Sequence, residues 1–191
     1  MSRIPLLSIE DAPAEAQPRL EAAEKLNGFL PNLLRLLANA PTALETYQTV
    51  GAINGRASLT LAEREIVQIT AAVTHGCSFC VAGHTAIATN RTDLGEAAIS
   101  ALRDGSSLSD ARHDALARFT EAVIASRGAV SDAELAAFKA AGFDDQAALE
   151  VVLGVSLATL CNFANNLGRP ELNAELAAYE WKGAAEPVAA E

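Results

Sequence analysis

The feature that most constrains the fold is the regular recurrence of helix start signals along the chain. Thr60 and Ser131 are each followed three residues later by a glutamate, Glu63 and Glu134, which is the pattern of a capping box. Alanine is abundant, and β-branched residues do not form the alternating runs that are typical of strands. At 191 residues the chain is long enough to bury a sizeable core. We therefore predict an all-α protein with a single domain.

Prolines, glycines and capping residues predict where the helices begin and end. The arrangement predicts an N-terminal arm over 1–17, a helical domain over 18–182 and a disordered C-terminal tail over 183–191. The predicted helices follow Pro31, run from Pro41 to Gly55, from Thr60 to His75, onward from Cys77, from Asp93 to Gly105, from Ser109 to Gly128, from Ser131 onward, over roughly 145–166, and from Pro170 to Trp181.

The charge of the chain bears on its partners. The formal net charge is −10, and no cluster of lysines and arginines is present, so we expect neither nucleic acid nor an anionic membrane as a partner. The N-terminus lacks the apolar stretch of a signal peptide, and the most apolar run, Ala147 to Cys161, is shorter than a membrane span. These features favour a cytoplasmic protein, where a pair of nearby cysteines is more often catalytic or metal-binding than a structural disulfide.

Cys77 and Cys80 form a Cys-x-x-Cys pair, and His84 follows four residues after Cys80. Two thiols at this spacing can close into a disulfide and so transfer two electrons without a metal or an organic cofactor. Because Cys77 follows Gly76, it is expected in the first turn of a helix, where the free backbone amides stabilise a thiolate. His84 shares a helix face with Cys80 and can act as its base. The pattern indicates thiol–disulfide redox chemistry with a hydroperoxide as oxidant.

Glu65 interrupts an otherwise apolar face of the preceding helix. A buried carboxylate needs a partner, and His84 is the candidate if the two helices pack side by side. A carboxylate that holds one imidazole nitrogen orients the other toward a thiol, as in catalytic triads. The alternatives are a position at the edge of the face or a pair with an arginine such as Arg56.

Other interpretations of these residues stay open. The cysteine pair can be two small core residues, or part of a zinc site with His75 and His84, although zinc sites usually draw ligands from two separated segments. Cys161 lies on an apolar helix and is interpreted as an inert core residue. Asn162, Asn165 and Asn166 are interpreted as helix capping, with the lining of a pocket as the alternative.

Taken together, these residues resemble the alkylhydroperoxidase D (AhpD) and carboxymuconolactone decarboxylase family. Its peroxidase branch carries a Glu, eleven residues, then Cys-x-x-Cys-x-x-x-His, and the chain matches at Glu65, Cys77, Cys80 and His84. The stretches 28–32 and 58–65 are also similar to the family. The resemblance covers about residues 20–180.

The resemblance implies an AhpD-like helical bundle that forms a homo-oligomer, a dimer, trimer or hexamer, with antioxidant peroxidase activity and neither cofactor nor metal. It implies that Cys80 attacks a small hydroperoxide, that Cys77 resolves the sulfenate, and that Glu65 and His84 relay the proton. It also implies that an external dithiol reduces the disulfide. In the best-known members of the family this reductant is a lipoylated protein, and a peroxiredoxin is the partner.

One position departs from the family pattern. AhpD has a histidine just before the second cysteine, where this chain has Phe79, and His75 is a possible substitute. The alternatives to peroxidase activity are a redox-sensing oligomer without turnover, a zinc module and an enzyme like γ-carboxymuconolactone decarboxylase, whose branch lacks the cysteine pair.

Overall fold

Helix-forming signals in the sequence account for most of the architecture. The computed structural model describes residues 2–183, and over this range it consists of nine α-helices and one 3-10 helix, with no strand. The all-α prediction is confirmed. In chain order the elements are α1 (Gln17–Asn27), α2 (Asn32–Leu37), α3 (Pro41–Asn54), α4 (Leu61–Thr74), α5 (Ser78–Arg91), α6 (Gly95–Arg103), α7 (Ala111–Ser126), α8 (Asp132–Ala140), α9 (Asp145–Gly168) and the 3-10 helix Ala174–Tyr179.

Both predicted capping boxes are present. The Thr60 hydroxyl accepts from the backbone N–H of Glu63 at 3.2 Å, and the Glu63 carboxylate accepts from the N–H of Thr60 at 2.8 Å. Ser131 and Glu134 make the same reciprocal pair at the start of α8. These bonds satisfy backbone donors that a helix leaves free at its N-terminus.

Two other predicted helix starts were wrong by one or two residues. Asp110, not Ser109, caps α7, because its carboxylate accepts from the His113 N–H at 2.8 Å. Helix α6 begins at Gly95 rather than at Asp93, with no side-chain cap. There the hydroxyl of Thr92 accepts from the N–H of Leu94 and sets the turn instead.

The predicted helix from Pro170 to Trp181 was also wrong, since only the short 3-10 helix forms in this segment. The guanidinium of Arg103 on α6 donates to the carbonyls of Tyr179 and Glu180, and the Trp181 indole N–H donates to the carbonyl of Arg103 at 3.0 Å. The end of the segment is therefore held by contacts with α6 rather than by its own helical hydrogen bonds.

The segment before α1 lies against the helices without regular structure. The guanidinium of Arg35 on α2 donates to the carbonyls of Leu6 and Leu7, both at 3.0 Å. Ala12 and Ala16 are buried. Of the predicted C-terminal tail, only Gly183 lies within the described residues, so the tail stays a prediction.

The core consists of two apolar clusters that meet at α4. One lies among α4, α7, α8 and α9, and the other gathers α1 and α2 around the cysteine-bearing turn. Helix α4 packs against α5, α7 and α9, which makes it the central element of the bundle. The second cluster includes Cys77, Cys80 and Cys161, so all three thiols lie in apolar surroundings.

Helix α9 is the most apolar element. By length and composition alone it could cross a membrane. In the fold, however, it contacts α2, α3, α4, α5 and α7, and its buried face carries Asn162 and Asn165. These are the contacts of a core helix.

Gly154 allows α9 to approach α4 closely. A Cβ at this position would lie 2.9 Å from Cγ1 of the buried, rigid Val67, and the Gly154 carbonyl accepts from the Gln68 side chain at 2.9 Å. At Gly51, inside α3, an added Cβ would meet nothing within 4 Å.

This contrast predicts opposite effects of the same substitution. Gly51→Ala should stabilise the protein by up to about 1 kcal/mol, because alanine favours the helix. Gly154→Ala should lower the free energy of unfolding, because overpacking costs roughly 1–3 kcal/mol and exceeds the helix gain. Urea unfolding of both variants measures the difference, and equal stabilisation by both would contradict the close approach.

Candidate active site

The turn between α4 and α5 places the site residues. Gly76 adopts a left-handed φ of 65°, and the backbone N–H of Cys77 donates to the carbonyl of Ala72 at 2.9 Å. The chain thereby reverses direction within three residues, and α4 and α5 pack side by side. Residues well before the turn on α4 can consequently face residues well after it on α5, as Glu65 and His84 do.

Glu65 and His84 form a buried pair. Oε2 of Glu65 lies 2.8 Å from Nδ1 of His84, and Glu65 is only 5% exposed. This is the pairing that the sequence predicts if α4 and α5 pack side by side. The partner of the buried carboxylate is therefore His84 and not Arg56. Since Nδ1 is occupied by the carboxylate, Nε2 is the ring nitrogen left for proton transfer.

The environment of His84 favours its protonated form. Burial alone would lower its pKa, but the charge of Glu65 and the hydrogen bond to it raise the pKa above the ordinary 6.5. The imidazolium therefore persists to higher pH than that of an exposed histidine. A proton is available at this point for a leaving group.

Cys77 and Cys80 are free thiols, and both are buried. Cys77 is the N-cap of α5, one position before the predicted first turn, and its sulfur accepts from the Cys80 N–H at 3.3 Å. The Cys80 sulfur accepts from Nδ2 of Asn165 at 3.1 Å. This amide donor from α9 offers a hydrogen bond to negative charge on Cys80.

Cys161 lies beside Cys80. It is buried, as the sequence analysis expects, but it belongs to the thiol cluster rather than to an isolated part of the core. Burial, together with the neighbouring Cys161 and Cys77 thiols, raises the pKa of Cys80, whereas donation from Cys80 and the charge of His84 lower the pKa of Cys161. The first proton of the Cys80–Cys161 pair therefore leaves more easily from Cys161, and the second is held more tightly on Cys80.

The three asparagines near the end of α9 were predicted to cap that helix. Their side chains instead reach across to the α4–α5 turn. Asn166 donates to the carbonyl of His75 at 2.8 Å, and Asn162 contacts the His75 ring at 3.1 Å. The third, Asn165, contacts Cys80. Its Oδ1 is buried without a hydrogen-bond partner, which leaves an acceptor next to the Cys80 sulfur.

His75 supports the turn. Its Nδ1 accepts from the Asn162 amide, and its ring meets Phe163 edge-on with 5.0 Å between ring centroids. Burial lowers the pKa of His75, which keeps the ring neutral and able to accept this bond. Phe79, at the position of the family histidine, lines the cavity described below.

The zinc interpretation needs both histidines beside both thiols. Within residues 2–183 no group of three or more His, Cys, Asp or Glu side chains has the arrangement of a metal site. The ring nitrogens of the two histidines instead contact Glu65 and Asn162.

A cavity of about 1110 Å³ opens onto the thiols. Cys80, Cys161 and His84 line it, whereas Cys77 and Glu65 are buried and do not line it. The rest of the lining comes mainly from apolar side chains of α1, α2 and α5, with charged residues such as Glu15, Arg19 and Arg91 also present. The cavity can admit an organic molecule of considerable size to Cys80.

Tyr47 on α3 also lines the cavity. Burial, reinforced by the charges of Cys161, Cys80 and Glu65, raises its pKa far above the ordinary value of 10.0. Its hydroxyl therefore stays protonated and can donate a hydrogen bond. The sequence analysis missed Tyr47 and assigned no role at Cys80 to Asn165, because no local motif connects α3 or α9 to the cysteine pair.

The Glu65–His84 pair predicts a measurable shift in the His84 titration. In Glu65→Gln the carboxylate charge is lost while burial remains, so the His84 pKa should fall. NMR titration of the histidine ring measures it. Glu63→Gln is the matched control, because Glu63 is a buried carboxylate of the same helix that pairs with Arg112 at 3.0 Å. An unchanged His84 pKa in Glu65→Gln would contradict the pairing.

The same pair predicts how stability depends on pH. Because the folded-state pKa of His84 is raised, its contribution is fully present below the unfolded-state value of about 6.5 and is lost as pH rises through the folded value. The free energy of unfolding of the wild type should therefore contain a component that falls across this window. In Glu65→Gln that component should vanish, and urea unfolding at a series of pH values tests it.

Part of the chain matches the model of a known protein family. Residues 41–122 match the family model described as the carboxymuconolactone decarboxylase family. This segment begins with α3 and extends into α7, so it includes all four residues of the motif. None of the curated proteins compared with the chain matches it significantly.

Solved structures match over nearly the whole chain. A protein from Ralstonia eutropha JMP134, described as an alkylhydroperoxidase AhpD core and peroxidase-related, has a TM-score of 0.79 at 23% identity, over 92% of this chain and 94% of its own. A peroxidase-related protein from Silicibacter sp. TM1040 has a TM-score of 0.74 at 21% identity, covering 91% and 92%. The debrominase Bmp8, in complex with 2,3,4-tribromopyrrole, has a TM-score of 0.72 at 20% identity, covering 94% and 96%. These matches show a shared fold.

Proposed function

We propose that the chain is a thiol-dependent hydroperoxidase, since residues 41–122 match the carboxymuconolactone decarboxylase family model and the fold is AhpD-like. The observation that carries the proposal is the buried Glu65–His84 pair next to a Cys-x-x-Cys whose second sulfur faces an apolar cavity. Paired thiols supply two electrons, and the histidine supplies a proton. Reduction of a peroxide to an alcohol requires both.

In the first step the Cys80 thiol passes its proton to the neighbouring Cys161 thiolate, and the resulting Cys80 thiolate attacks the outer oxygen of the hydroperoxide. A sulfur–oxygen bond forms, the oxygen–oxygen bond breaks, and the alkoxide leaves as an alcohol after it takes a proton from His84. Glu65 holds the imidazolium and keeps Nε2 available. The Asn165 amide stabilises the negative charge on the sulfur before attack.

In the second step the Cys77 sulfur attacks the Cys80 sulfenic acid. A disulfide forms and water leaves. An external dithiol then reduces the disulfide by exchange, and a lipoylated protein is the proposed physiological donor. The apolar lining of the cavity favours an organic hydroperoxide over hydrogen peroxide as the substrate.

A second candidate function is reductive dehalogenation. It is favoured by the likeness to the debrominase and by the size of the cavity above the thiols. Two thiols and an aryl bromide would yield the dehalogenated arene, a disulfide and hydrogen bromide, which balances the same two electrons. Bromide release from 2,3,4-tribromopyrrole in the presence of dithiothreitol distinguishes this activity from peroxide turnover.

The decarboxylase and redox-sensor alternatives each leave part of the site without a function. A decarboxylase has no need for a redox pair at Cys77 and Cys80. A redox sensor needs the pair but not a large cavity, and it predicts a change of assembly on oxidation without turnover.

The proposal predicts how substitutions change peroxide turnover. With dihydrolipoamide as reductant, Cys80→Ser should abolish turnover of cumene hydroperoxide, and Cys77→Ser should lower the steady-state rate. Glu65→Gln should lower kcat/KM by roughly 10- to 100-fold, because general acid–base catalysis contributes about 10²–10⁴-fold. A coupled assay of dithiol consumption measures the rates. Glu63→Gln should keep wild-type activity, and unaffected turnover in Cys80→Ser would overturn the proposal.

We also propose that the outer face of α9 joins copies of this chain. Leu149, Val152, Phe163 and Leu167 are exposed and follow one stripe of the helix at spacings near multiples of 3.6 residues. An exposed apolar stripe of this length is typical of an interface. The occupant proposed is a second copy, in line with the homo-oligomer implied by the family resemblance.

Charge on this stripe should separate the copies. Leu149→Glu with Val152→Glu should reduce the molar mass in solution to that of one chain, because burial of two carboxylates without partners is costly. Sedimentation velocity measures the mass. Leu26→Glu is the control, since Leu26 is the most exposed of the large apolar residues described and lies on α1. A charged stripe that leaves the oligomer intact would place the interface elsewhere.

A further inference from the structure

The mechanism above gives one nucleophile of the site no bond-forming step. Cys161 lines the cavity together with Cys80 and His84, whereas Cys77 is buried and does not line it. A molecule in the cavity can therefore contact the sulfurs of Cys80 and Cys161. Cys77, the partner of Cys80 in the motif, does not line the cavity.

Contacts within the cluster distinguish Cys161 from Cys77. The sulfur of Cys77 accepts the backbone N–H of Cys80 and caps α5, so attack by Cys77 must give up a cap. The sulfur of Cys161 contacts the carbonyl of Ala158 at 3.3 Å and Oδ1 of Asn162 at 3.5 Å, which are acceptors for a thiol proton. Cys161 is therefore not needed for the structure of the turn.

The Cys161 side chain is also the thiol on which His84 acts. The imidazolium of His84 stabilises a Cys161 thiolate, and a Cys80 thiol donates to it. One turn further along α9, Asn165 contacts the Cys80 sulfur at 3.1 Å, so this face of α9 is directed at Cys80. Cys161 thus combines proximity to Cys80, a thiolate-favouring charge and a place on the cavity wall.

From these observations we infer that Cys161 is a second resolving thiol, which captures the sulfenic acid of Cys80 as a Cys80–Cys161 disulfide between α5 and α9. This inference rests on the proposed peroxidase function and concerns the same site. The Cys161 thiolate attacks the Cys80 sulfur, a sulfur–sulfur bond forms, and the sulfur–oxygen bond breaks. His84, which gave its proton to the alkoxide in the first step, takes the proton of the Cys161 thiol and passes it to the leaving hydroxide, which becomes water.

The Cys80–Cys161 disulfide is then converted to the Cys77–Cys80 disulfide. In the formation of the first disulfide the Cys80 sulfur is reduced and the Cys161 sulfur is oxidised. The Cys77 thiolate then attacks Cys80, forms the Cys77–Cys80 disulfide and releases Cys161 as a thiolate. The external dithiol acts on the Cys77–Cys80 disulfide as before. Cys161 thereby shortens the lifetime of the sulfenic acid, which further peroxide would oxidise irreversibly.

The test uses Cys77→Ser, which should fold because serine is a good N-cap. The reduced variant receives one equivalent of cumene hydroperoxide, free thiols are alkylated, and the disulfides are mapped by peptide mass spectrometry. We expect a Cys80–Cys161 disulfide and a whole-protein mass lower by two hydrogens. In Cys77→Ser with Cys161→Ala, we expect a Cys80 sulfenic acid that dimedone labels. In Cys77→Ser with Cys80→Ser, Cys161 should stay reduced.

A second measurement uses the intact cysteine pair. Under excess hydroperoxide, Cys161→Ala should lose activity several-fold faster than wild type, with sulfinic acid at Cys80. Dimedone-labelled Cys80 beside a free Cys161 in Cys77→Ser would overturn this inference while wild-type turnover still supports the peroxidase. No oxidation of Cys80 at all would overturn both.

Discussion

The buried ion pair between Glu65 and His84 is the interaction on which the rest of the site depends. A carboxylate in an apolar helix face is destabilising unless it meets a cation or donors, and removing one partner of such a pair costs about 3–5 kcal/mol. His84 supplies that partner only because the left-handed Gly76 reverses the chain between α4 and α5. The turn, the ion pair and the position of the cysteines at the start of α5 therefore form one structural unit.

Helix α9 completes the site from the other side. Its close approach to α4 at Gly154 brings the asparagine cluster and Cys161 onto the cysteine-bearing turn. Asparagines on a long apolar helix find their partners there: two hold His75, and Asn165 holds the Cys80 sulfur. The outer face of the same helix stays apolar and exposed. One element thus links the chemistry of the thiols to the surface proposed for assembly.

The sequence predicted those parts of the site that local spacing specifies. Cys77, Cys80 and His84 are brought together by helical periodicity within one element, and Glu65 is conspicuous because a charge interrupts an apolar face. Capping boxes predicted the starts of α4 and α8 for the same local reason. The role of Asn165 at Cys80 and the presence of Tyr47 at the cavity depend on how distant helices pack, and no spacing rule reports that. Cys161 looked like core from its helix and proved to be both core and cavity wall.

We propose that Cys80 reacts with a hydroperoxide and that a second thiol of the cluster completes the reduction. The most direct measurement is a single turnover without any reductant: fully reduced protein is mixed with one equivalent of cumene hydroperoxide, and residual peroxide and free thiols are both counted. The account predicts that the peroxide disappears and that the three thiols of the chain fall to one. Unconsumed peroxide with all three thiols still free would contradict it.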